Sequence, residues 1–189
     1  GDWSSDVCSS DLCKGEKMID ILMATYNGEL YLEEQIKSII EQSVSSWKLY
    51  IRDDGSQDET NNIIESYRKK YPQKIILVND DKGGLGAKGN FIELIKYSNS
   101  NYCMFCDQDD VWSKDKIEIT LYKMKELEEK YKETTPILIH TDLSVVNEKL
   151  HNINKSFWRF SNINPNKNDL KSLILENTVT GCTMMINRS

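Results

Sequence analysis

The chain has 189 residues, 39% hydrophobic and 29% charged, with a formal net charge of −6 and a pI of about 5.1. That balance suits a single globular α/β-sized domain and excludes an intrinsically disordered chain. No apolar run approaches the roughly 20 residues of a membrane span, and the acidity, with no basic stripe interleaved with aromatics, argues against nucleic acid as a partner.

Residues 1–12 (GDWSSDVCSSDL) carry neither helical nor strand periodicity and lack the basic start and apolar centre of a signal peptide. They resemble the translation of a sequencing adapter, and residues 1–17 are expected to form an artefactual or disordered leader. Asp2, Asp6 and Asp11 lie in this segment and supply half of the net charge.

Residues 19–24 (IDILMA) form an apolar run of strand type, closed by Thr25-Tyr26-Asn27-Gly28 with its Asn-Gly turn signal. Leu32, Ile36, Ile39 and Ile40 then recur at helical spacing. The intervening loop stands at a strand's carboxyl end, where open α/β sheets bind ligands, although Tyr26 can also merely cover the sheet edge.

The unit repeats. Residues 47–52 (WKLYIR) alternate as a strand and run into Asp53-Asp54-Gly55-Ser56, and a helix follows to about Lys70 with Ile63, Ile64 and Tyr67 on its apolar side. Asp58 suits the start of that helix as a capping residue, while Asp53 and Asp54 precede it and are harder to explain that way. A third strand is predicted over 75–79. A Gly-rich segment comes next, with Lys88 as its cation near the end, and a helix is predicted over 91–98. Bare backbone N–H groups in such a segment can cradle an anion, or the segment can be a surface loop; it fits neither the Walker nor the dinucleotide pattern.

The fourth strand, residues 102–106 (YCMFC), runs into Asp107-Gln108-Asp109-Asp110. On an extended chain Asp107 and Asp109 share a face and Gln108 turns away. The residues alone leave a solvated turn and a cation site both open. Beyond lie a helix through Ile117, Leu121, Met124, Leu127 and Tyr131, a strand over 137–146, a short helix over 170–176, and a loop and strand over 178–186. Strand–helix units in series predict a mostly parallel sheet with helices on both faces.

The five cysteines, Cys8, Cys13, Cys103, Cys106 and Cys182, are sparse and odd in number, which points to a reducing compartment. Cys103 and Cys106 lie on one strand, facing opposite sides about 10 Å apart, too far for a disulfide. With His140 and His151 as the only histidines, a zinc site is disfavoured and core packing is the expectation for Cys103 and Cys106.

Four strand ends thus carry polar signatures: Ala24-Thr25-Tyr26-Asn27-Gly28, Asp53-Asp54-Gly55-Ser56, residues 86–90, and Asp107-Gln108-Asp109-Asp110-Val111-Trp112. In this order and spacing they resemble the nucleotide-sugar half of family-2 glycosyltransferases, in particular the bacterial rhamnosyltransferase-like branch, over Ile19 to Arg188. The resemblance implies a GT-A fold, Rossmann-like, for a nucleotide-sugar-binding domain over 18–189 that is incomplete at its C-terminus. It sets Thr25 and Tyr26 against a pyrimidine base, with Ala24, Asn27 and Gln108 completing the nucleotide-sugar site. Asp53 would accept from the base's ring N–H, Asp54 would support that loop, and Lys88 and Asn90 would lie near the diphosphate. Asp107 would contact the ribose or the metal's water shell, Asp109 would ligate Mg²⁺ or Mn²⁺, and Asp110 would brace the loop.

The implied reaction is inverting transfer of a sugar, rhamnose by resemblance to the branch, from a dTDP- or UDP-sugar donor to a glycan or lipid-linked glycan acceptor in cell-surface polysaccharide synthesis. The family's base usually follows a segment like residues 180–185, and no matching position precedes Ser189, so donor binding with poor transfer is expected. His140 and Asp142 share a strand face and can line the acceptor side or simply pack. A cytoplasmic protein is expected, with peripheral contact at the inner membrane face; the basic and aromatic residues 155–160 can serve that contact or pack a loop. Two rivals stand: a sugar nucleotidyltransferase, whose Gly-rich loop would follow the first strand, and a non-catalytic nucleotide-sugar-binding module.

Overall fold

The computed structural model describes residues 17–80, 82–167, 169, 171, 173 and 177–189. A six-stranded sheet has the order β3-β2-β1-β4-β8-β5. Its four parallel strands are β1 (Ile19–Thr25), β2 (Trp47–Asp53), β3 (Ile75–Leu77) and β4 (Tyr102–Cys106). β8 (Met185–Asn187) runs antiparallel to β4, and β5 (Leu138–Ile139) antiparallel to β8. β1 and β4 are buried on both faces, as near-continuous apolar runs require.

One face buries Ile19, Ile21 and Met23 of β1 against α1 (Leu32–Ile40), α2 (Thr60–Lys70) and α4 (Lys116–Tyr131). The other buries Leu22, Cys103 and Phe105 against Leu94 of α3 (Gly86–Tyr97). Cys103 and Cys106 therefore fall in separate cores, and Cys103, Cys106 and Cys182 are free thiols. Lys17, beside the first strand, pairs with Glu128, whose carboxylate also accepts from the Tyr102 hydroxyl at 2.7 Å.

Three elements differ from expectation. α3 begins at Gly86 rather than residue 91, because the Asp54 carboxylate accepts from the Leu85 and Gly86 N–H groups at 3.0 and 2.7 Å and supplies from the loop after β2 the partners a helix start needs. Gly86 enters at φ +68°, a conformation glycine adopts freely. The strand expected over 137–146 is two: β5 joins the main sheet, whereas β6 (Val145–Val146) pairs with β7 (Asn152–Asn154) in a separate ribbon. Between them Asp142 accepts from the Leu143 N–H at 2.9 Å and from Trp158 at 3.1 Å, turning the chain toward the single-turn helix α5 (Phe157–Phe160). β3 stops at Leu77, two residues early. The helix expected over 170–176 lies largely outside the described residues.

Candidate functional site

β1 is flanked by β2 on one side and β4 on the other, so the chain's order reverses between β1 and β4, and a crevice opens beyond their carboxyl ends. A cavity of about 580 Å³ occupies it. β1 contributes Ala24 and Thr25, with Tyr26 just past its end; β2 is followed by Asp54; α3 contributes Gly86 and Asn90; and Asp107, Gln108 and Asp109 follow β4. Of the predicted site residues, Asn27, Asp53 and Lys88 are not among the residues lining this cavity. Lys88 projects from α3 as an exposed side chain.

The loops after β1 and β4 are stitched together by Gln108. Its Oε1 accepts from the Tyr26 N–H at 2.9 Å and its Nε2 donates to the Tyr26 carbonyl at 3.0 Å. The expectation that Gln108 turns away is thereby corrected: the strand ends at Cys106, Gln108 and Asp109 sit in a turn, and the alternation of an extended chain no longer applies, while Asp107 and Asp109 border the same cavity as expected of residues turned toward one ligand. Gly28 makes room for this clamp, since a Cβ there would stand 2.4 Å from Gln108 Oε1. Gly28→Ala is expected to keep the fold, because the obstructed atom ends a flexible side chain, but to break both Gln108 bonds and free Tyr26. Urea unfolding should shift by roughly 1 kcal/mol, while the weakening of nucleotide-sugar binding measured by calorimetry should be the larger effect.

Asn27, at φ +47°, binds the loop after β2: its N–H donates to Ser56 Oγ at 2.8 Å, and its Oδ1 accepts from the Gln57 N–H at 2.9 Å. Asp53 is turned inward. It accepts from Thr25 Oγ1 at 2.9 Å, from the Ser56 N–H at 2.7 Å and from Asn61 at 3.2 Å, and it lines a separate 420 Å³ cavity with Asn61 and Asp80. Burial opposes its ionisation, but the donors from Ser56, Thr25 and Asn61 outweigh burial and hold it below the ordinary carboxylate value. Asp58, read as a capping residue, accepts from the Thr60 N–H at the start of α2 and from Glu29.

Arg52 is the organising residue that the sequence did not single out. It is 1% exposed and donates to Asp80 at 2.7 and 3.1 Å, to Asp54 at 3.2 Å, to Asn90 Oδ1 at 3.1 Å and to the Lys82 carbonyl. Asn90 returns a bond from Nδ2 to the Arg52 carbonyl at 3.0 Å, so both ends of its amide are engaged. A buried guanidinium needs such carboxylates, and the available signal was an arginine at a strand end followed by two aspartates, with Asp80 closing the next strand.

Past β4 three donor groups converge. One ligand atom each from Asp107, Asp110 and Cys182 lies within 4.8 Å of the other two. Cys182 comes from the 3₁₀ turn Gly181–Thr183, which leads into β8 and is held against β4 by the antiparallel pairing. Asp110 Oδ2 is buried with no hydrogen-bond partner among the described residues. Burial first, then the charges of Asp110 and Asp109, push the Asp107 carboxyl above its ordinary value, and burial does the same to Asp110 against the opposing contact with Cys182. The sequence assigns Cys182 no role and gives Asp110 a bracing one by resemblance, because the 3₁₀ turn's approach is a long-range event.

Asp109 is exposed and borders a second cavity of about 590 Å³, lined by Trp112, Lys116, Ile119, Asp142 and Val146 among others. Burial lowers the affinity of the Lys116 amine for its proton. Asp142 reaches this cavity, but its carboxylate is occupied: burial is outweighed by donors from Ser156, Trp158 and Leu143, which hold it below the ordinary value and make it a poor proton acceptor. His140 packs edge-on against Trp158, ring centroids 5.6 Å apart, so the packing readings of His140 and of the aromatic residues after Lys155 hold for this pair.

The sequence profile of "Glycosyl transferase family 2" matches residues 20–189. The chain belongs to this family. It is 52% identical over 99 residues to the dTDP-rhamnosyl transferase RfbG of Shigella flexneri, covering 50% of this chain and 34% of that protein. It is 26% identical over 172 residues to the putative teichuronic acid biosynthesis glycosyltransferase TuaG of Bacillus subtilis (strain 168), covering 90% of this chain and 62% of that protein. The chain thus spans less than two thirds of either relative. Among solved structures, the S. aureus TarS 1-349 fragment in complex with UDP-GlcNAc superposes with a TM-score of 0.55 at 22% identity over 69% of this chain and 35% of that one. Mannosyltransferase PcManGT from Pyrobaculum calidifontis, in complex with GDP-Man and Mn²⁺, gives 0.50 at 19% identity over 56% and 31%. These likenesses show the fold, that of GT-A glycosyltransferases.

Family membership raises the question of a divalent cation, and the donor set fits one. Oxygen donors crowd together, like charges raise one another's proton affinity, and a buried carboxylate oxygen lacks a partner. Among the described residues no helix is long and apolar enough to cross a membrane.

Proposed function

We propose that this domain binds a nucleotide-sugar, dTDP-rhamnose in the first instance, together with Mn²⁺ or Mg²⁺, as the donor-binding part of a glycosyltransferase that passes the sugar with inversion to a glycan or lipid-linked glycan acceptor in cell-surface polysaccharide synthesis. The observation that carries the proposal is the convergence of Tyr26, Asp54, Asp107, Gln108 and Asp109 at the β1/β4 crevice of a family-2 chain. The dTDP-rhamnose assignment is supported by the 52% identity to RfbG over half the chain. Tyr26, 55% exposed at the cavity, offers its ring to a pyrimidine base. Thr25 and Ala24 form the wall beneath it, and Asn27 and Asp53 fix the loops from behind rather than reaching the base. Asn90 and Arg52 hold the start of α3 beside the diphosphate, toward which Lys88 can swing. Asp107, Asp109 and Asp110 would hold the cation, whose charge offsets the negative charge that gathers on the departing diphosphate.

The second cavity supplies room for an acceptor on the far side of Asp109. A lipid-linked acceptor would bring the domain to the inner membrane face of the cytoplasm, and exposed Phe160, next to Arg159 and near Lys155, supports a peripheral contact there. Isothermal calorimetry tests the donor assignment. Binding of dTDP-rhamnose in Mn²⁺, tighter than that of UDP-GlcNAc, is expected; no heat from any nucleotide-sugar on folded protein would overturn it.

A further inference from the structure

We infer, on the reading of Asp107, Asp109 and Asp110 as cation donors, that Ser38 and Gln42 are positioning residues for those carboxylates: they hold residues 112–117 against the end of α1 and so fix where Asp109 and Asp110 stand. Both side chains are buried although polar, at the end of a helix whose inward residues Leu32, Ile36 and Ile39 are apolar. Polar groups buried there need partners. Among the described residues, those that the two side chains find outside α1 all belong to the chain after Asp110.

Ser38 Oγ donates to the Gln35 carbonyl at 2.8 Å, which leaves a lone pair to accept from the Trp112 N–H at 3.0 Å. Gln42, two residues past α1, uses its whole amide. Its Nε2 donates to the Ser38 carbonyl at 3.0 Å and to the Ser113 carbonyl at 2.7 Å, and its Oε1 accepts from the Ile117 N–H at 3.0 Å. The Ser38 carbonyl and the Ile117 N–H are groups that the end of one helix and the start of another leave open, so a single side chain joins α1 to α4.

Capping alone would account for these bonds; the segment they tether gives them a further consequence. Residues 110–113 have no regular secondary structure. On the near side the chain is fixed by the Gln108 clamp on Tyr26, and on the far side by Ser38 and Gln42. Asp109 and Asp110 are suspended between these anchors, and both press on the charge of Asp107. Like charges repel, so a loop released at one end would spread them. α1 spans both anchors, since the Tyr31 and Leu32 N–H groups donate to the Gly28 carbonyl at its start, at 3.1 and 3.0 Å. The helix itself is absent from the lining of both cavities.

The test reads Mn²⁺ affinity from the paramagnetic resonance signal of the free ion, on the full chain carrying Gln42→Leu or Ser38→Ala, with urea unfolding measured beside it. Affinity is expected to fall about tenfold in each variant, the lower end of what removing an outer support of metal ligands costs. Ser43→Ala removes only an exposed bond to Glu118 just beyond the same helix and should bind Mn²⁺ as the parent does. Loss of packing or capping alone would lower the unfolding midpoint and leave the affinity of the folded fraction unchanged. Should Gln42→Leu not fold, Ser38→Ala, which deletes one oxygen, carries the same reading. Equal Mn²⁺ affinity in the parent and the folded variants would overturn the inference and leave the carboxylate reading standing; a parent that binds no Mn²⁺ would overturn both.

Discussion

Arg52→Met is expected to destabilise the fold by about 3–5 kcal/mol, the usual cost of removing one partner from a buried charge cluster. The substitution keeps much of the side chain's length, so the loss is electrostatic. Asp54 and Asp80, whose side chains are 7% and 13% exposed, would keep their charges without the guanidinium, and Asn90 would lose an amide partner. The pairing with Arg52 holds Asp80 below the ordinary carboxylate value, so its contribution is present at neutral pH and lost as pH falls through that lowered value. Urea denaturation at pH 7 measures the effect. A loss below about 1 kcal/mol, the scale of an exposed ion pair, would show that the cluster does not hold the site together. Nucleotide-sugar binding should disappear with it, because Asp54 would no longer be steered toward the first N–H groups of α3.

Asp110→Asn is expected to act in the opposite direction on stability while abolishing the response to metal. Asp107 and Asp110 have carboxyls raised above the ordinary value of 3.8. A raised acid favours its protonated form in the fold, so stability falls as pH climbs from the ordinary value through the raised one, and the penalty is complete at neutral pH. Removing one charge should raise the melting temperature in EDTA at pH 7. The parent should instead be stabilised by Mn²⁺, by about 2.7 kcal/mol at a hundredfold excess over its dissociation constant, or roughly 5–10 °C for a chain of this size. At pH 4 the parent's gain should shrink as protons compete for the same oxygens. Thermal melts at both pH values, with EDTA or Mn²⁺, check this; equal Mn²⁺ shifts in parent and variant would contradict it.

The parallel block was legible because its signals are local. The apolar runs of β1 and β4 and the turn residues that close them, Asn27-Gly28 and Asp107 onward, are written within a few positions of one another. What escaped was set across the sheet. The start of α3 depends on a carboxylate more than 30 residues upstream, and the role of Arg52 depends on Asp80 and Asn90 arriving from two other elements. The sequence grouped Asp107 with Asp109 by strand alternation, whereas a turn at Gln108 and the approach of the 3₁₀ turn bring Asp107 to Asp110 and Cys182. Asp142 was legible as a polar residue in a strand, but only the returning chain at Trp158 reveals that its lone pairs are spoken for.

Coupling between cation and nucleotide is the most direct test of a donor site built at the β1/β4 crevice. Calorimetric titration of dTDP into the chain, with and without saturating Mn²⁺, measures it. At least a tenfold gain in affinity with Mn²⁺, about 1.4 kcal/mol of coupling, is the expected result, and it should vanish in Asp107→Asn. Equal affinity with and without the ion, on folded protein, would contradict the assignment of these carboxylates to a cation that would support diphosphate binding.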